Sequence, residues 1–461
     1  MRHVLLLSTY DLGHQPFALG SAAAWLTEAG CAVTCRDLAV GTVSDEELAA
    51  ADLIGLYLPM HTATRLALPL LARCRQAASG ADVVCFGLYA PLNAEMLRRN
   101  GAGHILGGEF EAALTELALT GLPRDSGGAP RGGMAAQPAP GDIPRLRLKV
   151  PQREGLPPLG DYAQLDCGQG DLRAAGYTEA SRGCKHLCRH CPIVPVYQGA
   201  FRVVPREVVL ADIRQQVAAG ARHITFGDPD FFNGPRHGLD IVRSLHAEFP
   251  EITYDVTIKV EHLLRHREHL PTLRETGCLT VTSAVEAFDE RTLARLNKGH
   301  TAAQAAEAVA LCDAAGLTLV PTFVAFTPWT TRESYLDFLR SVLALGLVDR
   351  VAPVQYALRL LITAQSPLLD LADVQAVTGP FDETQLVHPW RHPDAGMDRL
   401  AERVMGIVQA GLNGGESRRA IFRQVAAAAE GVAGAGPPGL DLAVLQGQER
   451  FVPHLTEDWY C

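Results

Sequence analysis

The feature that most constrains the fold of this 461-residue chain is an alternation of short apolar segments with stretches of helical periodicity. Strands that alternate with helices form parallel sheets, because the chain must cross over before it runs in the same direction again. Residues 1–120 are therefore predicted to form a doubly wound α/β domain. Its predicted strands are 3–9, 31–35, 52–60, 82–87 and 104–108.

A second series of the same kind begins near residue 175, with helices predicted at segments such as 205–220 and 301–316. Repeated strand and helix units of this length form a parallel barrel, whole or partial, and its chemistry lies at the carboxyl ends of the strands. We predict a partial (β/α) barrel over residues 161–370. The predicted strands are 222–227, 252–259, 278–286, 317–326 and 350–361.

Composition places the boundaries between these regions. Residues 121–160 are rich in glycine and proline without sustained periodicity, which indicates a linker. Residues 371–461 are predicted to form a small, mostly helical C-terminal region, with helices at 395–411 and 417–431 and an extended tail over the last ten residues.

Charge and composition exclude several classes of protein. The chain has 41 Lys and Arg against 51 Asp and Glu, and no long basic run, so we expect no nucleic-acid partner. The apolar run at the N-terminus is too short for a membrane span and lacks a cleavage site, so we expect a cytoplasmic protein with no membrane partner. The eleven cysteines are scattered and odd in number, which argues against a disulfide framework.

Three of these cysteines lie within eight positions, in the segment SRGCKHLCRHC at 181–191. Thiolates of one short loop bind zinc or an iron–sulfur cluster. A structural zinc site needs a fourth ligand, and no second pair follows nearby. His186 or His190 could serve, but both lie in the same loop. The residues alone leave an iron–sulfur cluster, a zinc knuckle and unrelated buried thiols as alternatives for Cys184, Cys188 and Cys191.

The spacing C-x3-C-x2-C ahead of a predicted barrel resembles the radical S-adenosylmethionine (SAM) superfamily. This resemblance implies that Cys184, Cys188 and Cys191 bind three irons of a 4Fe–4S cluster, whose fourth iron is left for the amino and carboxylate groups of SAM. It also implies reductive cleavage of SAM, an electron donor such as flavodoxin or ferredoxin, and a small-molecule substrate. It assigns no catalytic residue that acts on that substrate.

The same resemblance implies SAM contacts at the ends of two barrel strands. Gly227 would allow close backbone approach, and Asp228 would accept from the methionyl ammonium. The alternative for Asp228 and Asp230 is a helix N-cap or a solvated turn. Thr257 and Lys259 would reach ribose hydroxyls or the carboxylate, although Lys259 is equally suited to a surface ion pair.

Two further strand ends supply candidates. Glu286 corresponds to a glutamate near SAM in radical enzymes with a cobalamin-type N-terminal domain, and Arg359 is a candidate carboxylate partner by its bidentate fork. A buried structural ion pair is the alternative for both. His190 stands where the superfamily tolerates an aromatic residue, and we expect it to pack over the cluster.

The first domain resembles the Rossmann-like cobalamin-binding domains that precede many radical SAM cores, notably at 52–71 and 101–117. The usual cobalamin signature is D-x-H-x-x-G. Here His14 stands three positions after Asp11, so the signature is broken and we expect no histidine ligand to cobalt. Cobalamin remains an open cofactor alternative.

The chain resembles most closely the CUAEP/CCAEP-tail radical SAM proteins, a family that includes selenoproteins. The stretches that carry this resemblance are 182–209, 223–235, 253–264, 321–331 and 388–394. The family name records a C-terminal Cys followed by Cys or selenocysteine, whereas this chain ends at Cys461. We hypothesise that the frame was cut at a UGA codon, which a TAA or TAG stop after codon 461 would contradict.

A tail with such a pair would be a soft donor for arsenic or selenium species. The alternative is an exposed tail without a chemical role. The leading hypothesis is therefore a radical SAM enzyme acting on an unidentified substrate, with methyl or alkyl transfer to a soft heteroatom held by the tail as its most concrete version. The alternatives are a cobalamin-dependent radical SAM methyltransferase and a non-catalytic iron–sulfur or metalloid-binding sensor.

Overall fold

Five parallel strands form the N-terminal sheet in the computed structural model, which describes residues 1–78, 80–121, 143–431 and 439–457. The strand order β2-β1-β3-β4-β5 reverses direction between β1 and β3, which confirms the predicted doubly wound arrangement. The elements are β1 (His3–Ser8), α1 (Phe17–Glu28), β2 (Ala32–Asp37), α2 (Asp45–Ala50), β3 (Leu53–Tyr57), α3 (His61–Ala77), β4 (Asp82–Phe86), α4 (Tyr89–Leu92), α5 (Ala94–Arg99), β5 (His104–Leu106) and α6 (Glu111–Thr120).

The central region contains a second sheet of seven strands, in the order β13-β12-β11-β10-β7-β6-β14. One of these strands, β14 (His454–Leu455), comes from the C-terminal region, and the elements given next are those of the central region. Its elements are β6 (Gln164–Asp166), β7 (Leu172–Thr178), β8 (Ser181–Gly183), α7 (Ile193–Tyr197), β9 (Phe201–Val203), α8 (Arg206–Ala218), β10 (His223–Phe226), α9 (Pro235–Glu248), β11 (Thr253–Thr257), α10 (Val260–Arg265), α11 (Leu270–Glu275), β12 (Cys278–Glu286), α12 (Glu290–Leu296), α13 (Ala302–Ala314), β13 (Thr318–Phe323) and α14 (Arg332–Ala344).

Five neighbouring strands of this sheet, β7 and β10 to β13, are parallel and form the predicted partial barrel. β6 pairs antiparallel with β7 and closes one edge. Strands buried on both faces read as continuous apolar runs, which is why the sequence predicts most of them correctly. The sequence did not predict β7, because its segment, LRAAGYT, contains no β-branched aliphatic residue.

The predicted last strand, 350–361, is wrong. This segment contains a short 3-10 helix, Pro353–Tyr356, and pairs with the sheet only through an isolated bridge between Arg359 and Phe326. Its apolar side chains, among them Val354 and Tyr356, are buried in the barrel core without strand pairing. A short apolar run shows burial, but it does not by itself distinguish a strand from another buried segment.

The remaining elements are α15 (Ala372–Gln375), α16 (Ala395–Asn413), α17 (Arg418–Gly431) and β14 (His454–Leu455). The two predicted C-terminal helices are confirmed, and they bury Val404 and Phe422 in the same core as the barrel. Most of the predicted linker, at 122–142, and Cys461 lie outside the described residues. Within the described part of the chain, no helix is both long and apolar enough to cross a bilayer.

Candidate functional site

The cysteine loop, residues 184–200, is held at its base by a small antiparallel hairpin of β8 and β9. Gly183 immediately precedes Cys184 and has a φ of 74°. A Cβ atom there would lie 2.4 Å from the Tyr197 ring and 2.5 Å from the Ala200 carbonyl oxygen. Glycine is therefore required where the chain turns into the loop, both for its backbone conformation and for the close approach of the returning strand.

The three cysteines of this loop are free thiols, and Cys188 is buried. The Cys191 backbone N–H donates to the Cys188 carbonyl at 3.1 Å, which curls the loop around its own sulfur atoms. Desolvation raises the pKa of Cys191 to about 12 and also raises that of Cys184. Buried thiols of this kind ionise only beside positive charge, which a metal centre supplies.

The spacing of the sulfur atoms bears on the kind of metal centre. Zinc binds thiolate at about 2.3 Å, so two of its sulfur ligands lie at most about 4.6 Å apart. Among the described residues, two groups of three ligand atoms lie within 4.8 Å of one another, and neither includes a cysteine sulfur. The cysteine loop therefore fits a cluster of several irons better than it fits one zinc ion.

Glu286 ties the cysteine loop to the barrel. It ends β12 at a register shift with a φ of 68°, and its carboxylate accepts from His190 Nε2 at 3.0 Å and from Lys298 Nζ at 3.3 Å. Burial alone would raise the pKa of Glu286, but Lys298 and His190 outweigh it and lower the pKa to about 2. His190 is thus hydrogen-bonded to this carboxylate, and its expected packing over the cluster stays a prediction.

Asp228 is hydrogen-bonded to the segment that leads into the hairpin. Its carboxylate accepts from the Ala180 N–H at 2.8 Å and from Ser181 Oγ at 2.5 Å. Burial raises its pKa to about 7 against the opposing effect of these hydrogen bonds. The space over Gly227 is filled by Tyr177, whose hydroxyl oxygen lies 1.8 Å from the place of a Cβ atom. The contacts predicted between Gly227, Asp228 and SAM therefore stay predictions.

The end of β11 also faces the cysteine loop. Lys259 is buried, and its Nζ lies 3.1 Å from His186 Nδ1 and 3.3 Å from Glu261 Oε2. Thr257 is half-buried at the last position of the strand. The structure therefore brings the predicted Lys259 to the loop that carries the cysteines, through a histidine that lies between two of them.

Arg359 contacts residues of the C-terminal region. Its guanidinium donates to Asp398 Oδ1 at 2.8 Å and to the Trp390 carbonyl at 3.3 Å, and it stacks 4.1 Å from the centre of the Trp390 ring. The structural ion pair that the sequence left as the alternative is the arrangement that the structure shows. It fastens the segment after the barrel to α16.

Arg182, which sequence reasoning missed, joins the cysteine hairpin to the N-terminal sheet region. It is buried, and its nitrogens lie 2.7 Å from Glu111, 3.3 Å from Glu109 and 2.6 Å from Glu179. One cation faces three carboxylates here, and desolvation raises the pKa of Glu109 and of Glu179. The only sequence signal was an arginine next to the Gly-Cys pair, and its partners are remote in sequence.

A cavity of about 620 Å³ lies between the carboxyl edge of the N-terminal sheet and the cysteine loop. Its walls come from the segments after β4 and β5, from Pro195 and Val196 of the cysteine loop, and from Phe381 and His388 of the C-terminal region. His388 Nδ1 lies 3.1 Å from the Gly379 carbonyl oxygen, so Nδ1 donates and Nε2 is the nitrogen left for a ligand. The sequence placed 388–394 in a motif without assigning His388 a role.

His14 lies outside this cavity, beside Tyr177 of β7. Its ring packs 4.8 Å from that of Tyr177 in the buried contact between the two sheets. Burial lowers its pKa to about 4. The absence of a histidine ligand to cobalt stays a prediction.

Comparison with protein families matches residues 178–342 to the radical SAM superfamily. A hopanoid C-3 methylase of Methylococcus capsulatus is 26% identical over 192 residues, which cover 42% of this chain and 36% of the methylase. The chain thus spans about a third of the length of this curated relative. The family match over residues 178–342 begins at the end of β7 and includes the whole cysteine loop.

Two solved structures share the fold over a larger part of the chain. The cobalamin-dependent SAM radical enzyme OxsB, with aqua-cobalamin and SAM bound, superposes with a TM-score of 0.70 at 16% identity, covering 89% of this chain and 67% of OxsB. The radical SAM methyltransferase TsrM of Kitasatospora setae, with tryptophan and a SAM analogue bound, gives a TM-score of 0.58 at 18% identity, covering 75% of this chain and 72% of TsrM.

Proposed function

Because this chain belongs to the radical SAM superfamily and is a radical SAM enzyme, we propose that it transfers a methyl or another alkyl group to a small molecule with the help of cobalamin. The superfamily uses a 4Fe–4S cluster and SAM, which when bound supply one-electron reductive cleavage of the sulfonium. The proposed cluster ligands are Cys184, Cys188 and Cys191. Their loop suits this role because Cys188 is buried and because its sulfur atoms do not form one of the compact three-ligand groups that suit a single ion.

The polar residues around the loop would orient and shield this centre. Glu286 holds His190 and Lys298 at one side of the loop, while Asp228 fixes the backbone at 180–181 that leads into it. A loop restrained at several points keeps its geometry during electron transfer and limits the access of water. Direct contacts of Thr257, Lys259 and Glu286 with SAM are part of this proposal.

The observation that carries the cobalamin part is the cavity between the N-terminal sheet and the cysteine loop. It lies at the carboxyl edge of a doubly wound sheet, where such folds bind their ligands. Val196, five residues after Cys191, forms part of its wall, so a ligand in the cavity would lie beside the cluster loop. OxsB, whose fold this chain shares, binds both aqua-cobalamin and SAM.

Delivery of a soft heteroatom by the chain end is also part of this proposal, although the described chain end lies against the loop after β1, outside the cavity. β14 is antiparallel to β6, and β6 is antiparallel to β7, so β14 runs toward the carboxyl edge of the barrel. Glu457, the last described residue, accepts from the Tyr10 hydroxyl at 2.9 Å in the loop that follows β1. Cys461 stands four positions later. A thiophilic acceptor and a flavodoxin or ferredoxin donor remain predictions.

Anaerobic reconstitution of the full chain tests the proposal. With the cluster loaded and a strong reductant present, we expect SAM cleavage, detected by mass spectrometry of its products. Absence of cleavage with a full complement of iron and sulfide would contradict the enzyme assignment. It would favour the iron–sulfur or metalloid sensor if SAM also left the electron paramagnetic resonance signal of the reduced cluster unchanged.

Cobalamin binding needs its own measurement. Hydroxocobalamin titrated into the loaded protein should give a saturable change in its visible spectrum. His388→Ala, which removes the imidazole from the cavity wall, should weaken binding, while His14→Phe should leave it unchanged. A spectrum that does not respond to the protein would reject cobalamin and keep the superfamily assignment intact.

A further inference from the structure

We propose that His186, Asp230 and His262 form a second metal site, which binds a single divalent transition-metal ion beside the cysteine loop. The three residues come from the cysteine loop, from the turn after β10 and from α10. They are distant in sequence and converge only in the folded chain. The proposal rests on these side chains and does not depend on the presence of cobalamin or on the transfer reaction.

The geometry of the three ligand atoms is compact. His186 Nε2 lies 3.3 Å from Asp230 Oδ2, and His262 Nδ1 lies 2.7 Å from the same oxygen. All three atoms lie within 4.8 Å of one another, and the two imidazole rings are 4.6 Å apart. Metal–nitrogen and metal–oxygen bonds of about 2.0 to 2.2 Å place neighbouring ligand atoms about 3 to 3.5 Å apart, so His262 and Asp230 would separate by a few tenths of an ångström to admit an ion.

The same three atoms lack hydrogen-bond partners. His186 Nε2, Asp230 Oδ2 and His262 Nδ1 are each buried without a hydrogen bond of acceptable geometry, although they are near one another. Buried polar atoms in folded proteins are normally paired, and three that converge on one point indicate a ligand between them. The side chains of Asp230 and His262 are 1% and 8% exposed, so bulk water does not replace that ligand.

The atoms around the triad fix its orientation. Asp230 Oδ1 accepts from the Phe232 N–H at 3.1 Å, which leaves Oδ2 free to face the histidines. His186 Nδ1 lies 3.1 Å from Lys259 Nζ and 3.7 Å from Glu261 Oε2. A metal on Nε2 leaves the ring proton on Nδ1, so Lys259 Nζ would give up its contact with Nδ1 and keep the one with Glu261 Oε2, 3.3 Å away. Nδ1–H would then donate to Glu261, as metal-bound histidines do to carboxylates.

The donor set defines the class of metal. Two imidazole nitrogens and one carboxylate oxygen suit Zn²⁺, Fe²⁺ or Co²⁺, whereas three thiolates select softer centres. A bound ion would connect the cysteine loop to β10 and α10, and it would retain open positions for water or another ligand. The site is thus chemically distinct from the cysteine triad, because neither of the two compact ligand groups among the described residues contains a cysteine sulfur.

Cobalt titration of the full-length triple variant Cys184→Ser/Cys188→Ser/Cys191→Ser, which lacks the loop thiolates, tests the site under anaerobic conditions. We expect about one equivalent of Co²⁺ to bind with weak visible d–d bands and without the intense near-ultraviolet band of thiolate-to-cobalt charge transfer. His262→Ala and Asp230→Asn should each weaken binding at least tenfold. His269→Ala is the matched control, because His269 belongs to a neighbouring group with His266 and Glu268 that is more exposed.

The outcomes are decisive in both directions. Binding that His262→Ala leaves unchanged, that His269→Ala abolishes, or that shows a thiolate band would overturn the proposal. Circular dichroism of both histidine variants establishes whether they fold. If His262→Ala does not fold, Asp230→Asn provides the test. After reconstitution, the wild type should hold one metal ion beyond its cluster iron at unchanged labile sulfide, and Asp230→Asn should lose it. This count is independent of SAM cleavage.

Discussion

The carboxyl edges of the two parallel sheets bury titratable side chains in different ways. At the N-terminal edge, burial raises the pKa of Asp11 well above its usual range and lowers the pKa of His14 to about 4, so both groups favour their neutral forms. At the barrel edge, Lys298 and His190 lower the pKa of Glu286 to about 2, and contacts with His186 and His262 lower that of Asp230, in both cases against burial. Burial raises the pKa of Asp228 at the same edge to about 7.

The difference teaches that burial alone does not decide charge. A buried group without a partner is neutral, and one with a buried opposite charge stays ionised. The barrel edge therefore holds fixed charges around the cysteine loop, which suits a charged cosubstrate and electron transfer. The N-terminal edge has an apolar cavity wall formed by residues such as Leu106 and Phe110, which suits a bulky ligand.

The strongest test of this contrast removes one cysteine of the loop at the barrel edge. Cys188→Ala should abolish cluster assembly and SAM cleavage, because two remaining thiolates do not hold the cluster for which three are arranged. Iron and labile sulfide content, with product analysis, measures the effect. Cys167→Ser, a substitution of a half-buried cysteine outside the loop, should retain both. Full activity of Cys188→Ala would contradict the assignment of the loop.

Glu286→Gln breaks the charge pairing at the same edge. It leaves Lys298 buried without an opposite charge, which should destabilise the protein by about 4 kcal/mol. Urea unfolding of the cluster-free protein measures the change. The double variant Glu286→Gln/Lys298→Met should recover much of the loss, while Glu307→Gln, at an exposed helix position, should have little effect. An equally unstable double variant would argue against the pair as the cause.

The pH dependence of stability examines the N-terminal edge. The pKa of His14 is about 4 in the folded protein against 6.5 for an unperturbed histidine. Its contribution is present above pH 6.5 and is lost as the pH falls toward 4, by about 3 kcal/mol in total. His14→Phe should flatten the unfolding free energy in this window. The same flattening in the exposed His454→Phe would refute a specific role for His14.

The smallest expected effect concerns the cavity. Val196→Trp should fill part of its wall and weaken cobalamin binding about tenfold, equivalent to about 1.4 kcal/mol. Val203→Trp, on the exposed face of β9, serves as the matched control. Both variants should keep their cluster iron. Tight cobalamin binding by Val196→Trp would place the ligand elsewhere.

Sequence patterns predicted most strands of both sheets, because apolar runs report burial directly. They failed at 350–361, where buried side chains belong to an irregular segment, and they omitted β7, whose side chains are small or polar. The cysteine spacing identified the loop, since its three ligands are local in sequence. The predicted Lys259 and Glu286 do lie against that loop, whereas Arg359 is paired with Asp398.

The sequence by itself determined the two series of strands and helices and the cysteine triplet, because periodicity and ligand spacing are properties of short segments. Only the tertiary structure decided which carboxylates carry charge, since that depends on partners such as Lys298 and Arg182 that are remote in the chain. It also decided the cavity between the N-terminal sheet and the cysteine loop and the meeting of His186, Asp230 and His262, because packing brings together groups that no local pattern connects.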